Sequence, residues 1–254
     1  MLDYSINPFY EHNGNTIRIA PSVLGMPTIW DKEVLIFCCS QIVRAMDVGR
    51  EPSRIIRTTA YTLLKETRRS IGKRGYTLLE EALNRLRGVV ITTNLQTGDE
   101  RTRRGFGLLE EWKIVEKKTE TDPRMVSIEI TLSEWLYRAI VNKEILTLNE
   151  HYFKLKGGIE RRIYELCRKH CGNQAKWEIT VDLLHKKSGS QSPLKTFAHT
   201  LRKIVARNDL PDYRLHLKHA KLTVFYDPTG SDVEHIMDIR EILDGLGREV
   251  SHAE

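Results

Sequence analysis

The side chains best suited to chemistry in this sequence are hydrogen-bond donors, and they fall in two clusters. In the first, Arg68, Arg69, Lys73 and Arg74 crowd the stretch Arg68-Arg69-Ser70-Ile71-Gly72-Lys73-Arg74-Gly75. Thr77 lies just beyond it, and Arg101, Arg103 and Arg104 stand in a glycine-bounded loop further on. In the second, Lys186 and Lys187 precede a turn holding Ser190 and Ser192. Lys195, Thr196, His199, Arg202 and Lys203 follow that turn, with Lys218 and Lys221 beyond. Cationic and hydroxyl donors at this density suit phosphates, and Arg or Lys also suits the O6 and N7 edge of guanine. Either cluster alone is equally explained by solvated charge on an ordinary helix pair.

Both clusters ride on the same periodic pattern. Residues 54–94 read as short strand, helix, tight turn, longer helix and strand. Ala60, Leu63 and Leu64 give the first helix one apolar face. Leu79, Leu83 and Leu86 give the second an i, i+4, i+7 stripe. Gly72 and Gly75 permit the sharp turn between them. The pattern returns with strand-like Trp177–Thr180, a short helix carrying Leu183-Leu184, a turn through Ser188-Gly189, and a long helix with Phe197, Leu201 and Ile204. Ser192 is its expected N-cap, with Pro193 in the first turn. Strand pairs follow both copies. The first has Arg101, Arg103 and Arg104 at the tip of its wing; the second turns tightly at Lys218-His219-Ala220-Lys221. This is the outline of a winged helix-turn-helix, whose second helix normally enters the major groove.

The two long helices differ outside the stripe. Residues 194–207 present Lys195, Thr196, His199, Arg202 and Lys203, all able to donate to DNA. Residues 76–87 present Thr77, Glu80, Glu81, Asn84 and Arg85, and the paired glutamates oppose phosphate contact. The second copy is therefore the expected reader. The first copy is expected to read a second groove, to bind backbone through its turn and wing, or to pair with another subunit. Arg69 and Arg103 are expected to touch phosphate, and their replacement barely to move the melting temperature.

Charge is distributed in the same sense. The chain of 254 residues carries net +6. Residues 1–131 hold 20 basic and 17 acidic residues, 132–226 hold 18 and 9, and 227–254 hold 2 and 8. A basic block suits a polyanion. The expected fold is α+β: two winged helix-turn-helix domains in tandem, over 1–131 and 132–227, followed by an acidic helical tail over 228–254. Val233, Ile236, Met237, Ile239, Ile242, Leu243 and Leu246 make that tail amphipathic. It suits a packing helix, or a partner-binding or autoinhibitory segment. Before the first copy, Asn13-Gly14 marks a hairpin. Asp31 is the expected N-cap of a helix carrying Val34, Leu35, Phe37, Cys38 and Ile42.

No apolar run is long enough to cross a membrane, and the N-terminus lacks the pattern of a secretory signal. A cytoplasmic protein is expected. Cys38, Cys39, Cys167 and Cys171 read as reduced core residues, because no further ligands stand at metal-site spacing. There is no GxxxxGK[ST] loop, no His-x-His pair, no HExxH, no GxSxG and no close acidic cluster. The chain reads as a binder and not an enzyme, with no cofactor or metal.

Several stretches resemble the plasmid replication initiator protein A family. They are Gly25-Met26-Pro27-Thr28-Ile29-Trp30-Asp31-Lys32-Glu33-Val34-Leu35-Ile36 with Ser40-Gln41, and Ala60-Tyr61-Thr62-Leu63-Leu64-Lys65 followed by Gly75-Tyr76. His151-Tyr152-Phe153-Lys154-Leu155, Gly158-Ile159-Glu160-Arg161 and Tyr164 with Arg168-Lys169-His170 continue the match. The resemblance spans most of 16–226 and leaves out the acidic tail. It implies tandem winged-helix domains, binding to double-stranded origin repeats (iterons), and local duplex opening. It further implies recruitment of the host initiator and replicative helicase, and a homodimer in equilibrium with monomer. A transcriptional repressor built from the same modules, without initiation, is the alternative; a nuclease or nickase is a third class.

Overall fold

The structure is a computed structural model. It describes residues 9–12, 15–97, 100–117, 124–228 and 235–238, with side chains over 16–94, 102–116 and 127–228. The chain divides into two compact units, Met1–Ile145 with Met237–Glu254, and Leu146–Ile236. Both mix helices with antiparallel sheet.

The first unit begins with strands β1 (Phe9–His12) and β2 (Asn15–Ala20), paired antiparallel with His12 opposite Asn15. The expected turn residues Asn13 and Gly14 lie outside the described residues. Helix α1 (Lys32–Asp47) follows, then β3 (Ile55–Thr58), α2 (Ala60–Glu66) and α3 (Lys73–Gly88). Strands β4 (Val90–Thr97), β5 (Glu100–Phe106), β6 (Leu109–Lys117) and β7 (Arg124–Leu132) and helix α4 (Glu134–Val141) complete it. The strands form two sheets, ordered β1-β2-β4-β5 and β3-β7-β6. The apolar stripes of the sequence meet here: Val34, Leu35, Cys38 and Ile42 of α1, Leu63 and Leu64 of α2, and Leu79, Leu83 and Leu86 of α3 share one core. Ile128 and Ile130 of β7 join it from alternate positions, while Glu129 between them faces Arg57 on β3 at 2.6 Å.

The second unit holds β8 (Leu146–Asn149), a 3-10 turn (Glu150–Lys154), α5 (Gly158–His170), β9 (Lys176–Thr180), α6 (Val181–Ser188) and α7 (Leu194–Arg207). Strands β10 (Tyr213–Lys218) and β11 (Lys221–Tyr226) follow, and β12 (His235–Asp238) straddles the division at Ile236. The three-stranded sheet is ordered β10-β11-β9. Its core takes Ile163 and Leu166 of α5, Leu184 of α6, and Phe197, Leu201 and Ile204 of α7. A buried polar network crosses it. The Asn149 side chain donates to Asp212 and its N–H to the Tyr164 hydroxyl, each at 2.8 Å, and the Tyr152 hydroxyl donates to Glu165.

The two units share one order of elements. α1-β3-α2-α3-β6-β7 with sheet order β3-β7-β6 matches α5-β9-α6-α7-β10-β11 with sheet order β9-β11-β10. This corrects the expected first wing. Residues 100–106 are not a loop tip but strand β5, with Arg103 opposite Asn94 and Arg104 opposite Thr93. The counterpart of the β10–β11 hairpin is β6–β7, and β4–β5 is an addition that extends the β1–β2 sheet. Backbone pairing along β4 outweighs the glycine and charge content that reads as loop.

Other expectations shift too. The division falls at Ile145–Leu146 and not at 131/132, because Leu136, Ala139 and Ile140 of α4 are buried in the first unit's core. In the segment 228–254, expected to be helical, His235–Asp238 is a strand paired with β8. The ladder supplied by β8 outweighs the local amphipathic pattern there. The other apolar residues named for that segment, apart from Ile236 and Met237, lie outside the described residues.

The cationic turn is also built differently from the expected two-glycine hinge. Gly72 has φ −78°, and the left-handed residue is Arg68 at φ +56°. Gly75 is needed for another reason: a Cβ there would lie 1.8 Å from the Ser70 carbonyl oxygen. Gly75→Ala is expected to destabilise the protein by about 3 kcal/mol, because backbone must move to admit the methyl. Gly105→Ala, with open space around it, is expected to cost nothing. Urea unfolding of the two variants checks this.

Candidate nucleic-acid interface

The α6–α7 corner is set by local bonds. The Thr180 hydroxyl caps α6 by accepting the Leu183 N–H, and Gly189 closes the helix at φ +69°. Within the turn, the Ser190 and Ser192 hydroxyls bond each other at 2.8 Å, and the His185 ring donates to the Ser192 carbonyl at 2.8 Å. Both serines are half-buried, so their hydroxyls staple the turn. Pro193, not Ser192, takes the N-cap position of α7, and no side chain caps that end.

Beyond the turn, Phe197, Leu201 and Ile204 anchor α7 in the core, which turns Lys195, Thr196, His199, Arg202 and Lys203 outward. All five are exposed. Among the described residues, none of these five side chains has an ion-pair or hydrogen-bond partner. Lys186 and Lys187 are exposed at the end of α6, and Lys218 is exposed at the start of the wing turn. Lys221, on the other side of that turn, bonds Glu178 at 2.6 Å, which holds the Glu178 carboxyl below its ordinary range.

Much of the charge in 132–226 is structural. Arg161 is buried, donates to the Leu155 carbonyl at 2.8 Å and lies over the Tyr152 ring. Arg168 donates to the Thr147 carbonyl, Arg162 to that of Lys187, Arg207 pairs with Glu160, and Arg214 pairs with Asp227 at 3.0 Å. The exposed cations on α6 and α7 are thus not drawn into these internal contacts.

The first unit offers the same scaffold with a different face. Aligning Leu79, Leu83 and Leu86 with Phe197, Leu201 and Ile204 sets Glu81, Asn84 and Arg85 at the positions of His199, Arg202 and Lys203. Arg85 is not free. Its Nε and Nη2 donate to the two oxygens of Asp31 at 2.8 and 3.0 Å, and Glu81 lies 3.6 Å from Nη1. Those bonds, the one to Asp31 first, raise the Arg85 pKa further. Asp31 is 2% exposed. It is not the simple N-cap expected: its carboxylate accepts the Thr28 N–H at 2.8 Å, while the Thr28 hydroxyl accepts the Asp31 N–H. That reciprocal pair is a capping box begun by Thr28. Further along, a Cβ on Gly88 would lie 2.6 Å from the Ser22 Cβ. Residues 22–31 thus form a strap across the C-terminal half of α3.

Arg69 belongs to the same arrangement. It is expected at a phosphate, but its side chain is 13% exposed and bonds Glu33 at 2.5 Å and the Trp30 carbonyl. Its role is to tie the turn to α1, and its removal takes a charged partner from the buried Glu33 carboxylate. Arg68, Lys73, Arg74 and Thr77 remain exposed around the turn, and the Thr77 hydroxyl bonds back to the Lys73 carbonyl. Arg103 and Arg104 are exposed on β5; the Arg101 side chain lies outside the described residues. The sequence signals for this strap were Thr28-x-x-Asp31 and an arginine on the outer face of α3.

All four cysteines are free and buried, and burial pushes the Cys38 thiol up to about 12. Among the described residues, no group of three or more His, Cys, Asp or Glu could hold a metal ion. Nor is any described helix long and apolar enough to cross a membrane.

The strap and the open face differ in energetic consequence. Arg85→Ala is expected to cost about 3 kcal/mol, because it strands the buried Asp31 carboxylate. Lys203→Ala, at the matching place on α7, is expected to stay within about 0.5 kcal/mol of the parent. Denaturant midpoints for both variants measure the contrast.

Comparison with known proteins places this architecture. Residues 3–215 match the family model for replication initiator protein A. A protein of Wigglesworthia glossinidia brevipalpis, named "Putative replication protein", is 40% identical over 208 residues, covering 81% of this chain and 75% of its own. Among solved structures, domains 2 and 3 of RctB match with TM-score 0.62 at 9% identity, over 90% of each chain. A second RctB structure of the same domains gives 0.61, over 94% of this chain and 93% of that one. At that identity the likeness concerns the fold alone. The extent of the family match and the 40% relative together establish that this chain belongs to the replication initiator protein A family.

Proposed function

We propose that this protein is a sequence-specific, double-stranded DNA-binding plasmid replication initiator built from two winged-helix modules, α1 to β7 and α5 to β11, with α7 as the base-reading helix. The observation that carries this reading is the outer face of α7, whose five donors are exposed and unpartnered, against the strapped face of α3. Base readout needs side chains that are free to bond an incoming edge. Donors already committed to Asp31 or Glu33 cannot serve without breaking a buried pair.

The remaining parts divide by the same logic. Lys186, Lys187, Lys218 and the exposed cations Arg68, Lys73, Arg74, Arg103 and Arg104 contact phosphate. Ser190 and Ser192 shape the turn. Lys221 reaches DNA only by leaving Glu178. Family membership supports origin repeats (iterons) as the site, local duplex opening, the host initiator and replicative helicase as partners, and exchange between homodimer and monomer. The role is non-enzymatic and cytoplasmic.

Footprinting on DNA flanking the gene defines the site. Arg202→Ala and Lys203→Ala are then expected to lose about 1–3 kcal/mol on that site and to lose preference over a scrambled duplex. Arg74→Ala and Arg103→Ala are expected to weaken both duplexes alike. Discrimination lost by the second pair and kept by the first would move the reading helix to the other unit.

A further inference from the structure

A groove of about 1110 Å³ lies within the second unit, between the segment 151–160 and the C-terminal half of α7. Its walls carry Lys154, Lys156, Lys203, Arg207 and Arg214, against the carboxylates of Glu160 and Asp209. The carboxylates are already engaged: Glu160 pairs with Arg207 and accepts the Gly157 N–H, and Asp209 lies 3.5 Å from Arg207. Arg214 is paired with Asp227. Lys154, Lys156 and Lys203 are exposed and have no ion-pair partner among the described residues. The groove therefore presents three uncompensated ammonium groups.

The groove is continuous with the proposed reading face. Thr196, Thr200, Lys203 and Arg207 recur at i, i+4, i+7 and i+11, so they form one row along α7. The row starts on the outer face with Thr196 and ends in the groove with Arg207. Lys203 belongs to both. The Thr200 hydroxyl donates back to the Thr196 carbonyl, so a polyanion entering along the row meets the Thr196 hydroxyl first and Lys203 next.

We propose that this groove is a track for the sugar-phosphate backbone of duplex DNA flanking the segment that α7 reads, with Lys154 and Lys156 neutralising phosphates. The proposal rests on the reading of α7 given above. A compact ammonium suits a phosphate as a point charge and carries no base information. Lys154 and Lys156 thus add affinity without specificity, and they lengthen the contacted DNA beyond the bases under α7.

The test uses the full chain with both lysines replaced, as Lys154→Ala/Lys156→Ala and as Lys154→Gln/Lys156→Gln. Both positions are exposed, so the melting temperature is expected to hold. Affinity is measured against salt for a footprinted duplex, a scrambled duplex of equal length, and a duplex trimmed to the bases under α7. On the two long duplexes, the slope of log K against log salt is expected to fall by about 2, with preference for the specific site retained. On the trimmed duplex, parent and variants are expected to coincide. Unchanged slopes on the long duplexes, with Arg202→Ala still losing discrimination, would overturn the groove and leave the reading of α7 standing. No DNA binding by the parent chain would overturn both. Lost discrimination in the lysine variants would also reject a phosphate track. So would unchanged DNA binding with lost affinity for polyglutamate, which would assign the groove to an acidic polypeptide.

Discussion

The ion pair between Arg85 and Asp31 is the constraint that fixes the outer face of α3 in the first unit. A guanidinium with two parallel bonds to a carboxylate is among the strongest polar contacts a protein makes. Here the carboxylate is also a member of the Thr28–Asp31 capping box, so one side chain starts α1 and holds α3. Burial makes the arrangement strict. Once Asp31 is out of water, losing either partner strands a charge, and the cost greatly exceeds that of a surface pair. Glu33, two residues after Asp31, and Arg69 repeat the device and fasten the turn before α3 to α1.

The consequence is a division between two modules of the same build. Each packs a short helix and a long helix over a three-stranded sheet, with apolar residues at the same spacing. In the C-terminal half of α3, Arg85 is used internally by Asp31 and Gly88 by the Ser22 contact. In α7 the outer positions are left to solvent. Leaving unpaired cations on a surface costs little in water and keeps them available for phosphates, whose release of counterions supplies much of DNA affinity. Net charge alone does not show this. Buried Arg161 and paired Arg162, Arg168, Arg207 and Arg214 count toward the basic block yet serve the fold.

Membership of the replication initiator family and the strap–open contrast thus describe different things. The family match says what kind of protein this is. The contrast says which outer side chains are committed within the fold and which are left exposed.

The sequence by itself determined the helices up to α7, their order and most of their buried faces; Leu183 on α6, which reads as apolar face, is exposed. The stripes at Leu79, Leu83, Leu86 and at Phe197, Leu201, Ile204 follow from the helical period, which is local and needs no partner. It also determined the family, through stretches such as 25–36 and 60–65. Tertiary structure decided which strands pair. Arg101 to Arg104 read as loop, yet β4 draws 100–106 into a ladder, and β8 does the same for 235–238. It decided that Gly75, and not Gly72, is the indispensable glycine, because the clash is with Ser70 backbone across the turn. Above all it decided which cations are free. Arg69 and Lys73 are four residues apart in one basic run, but only Arg69 has a buried carboxylate within reach. Charge is a property of a residue, whereas availability is a property of what lies beside it in space.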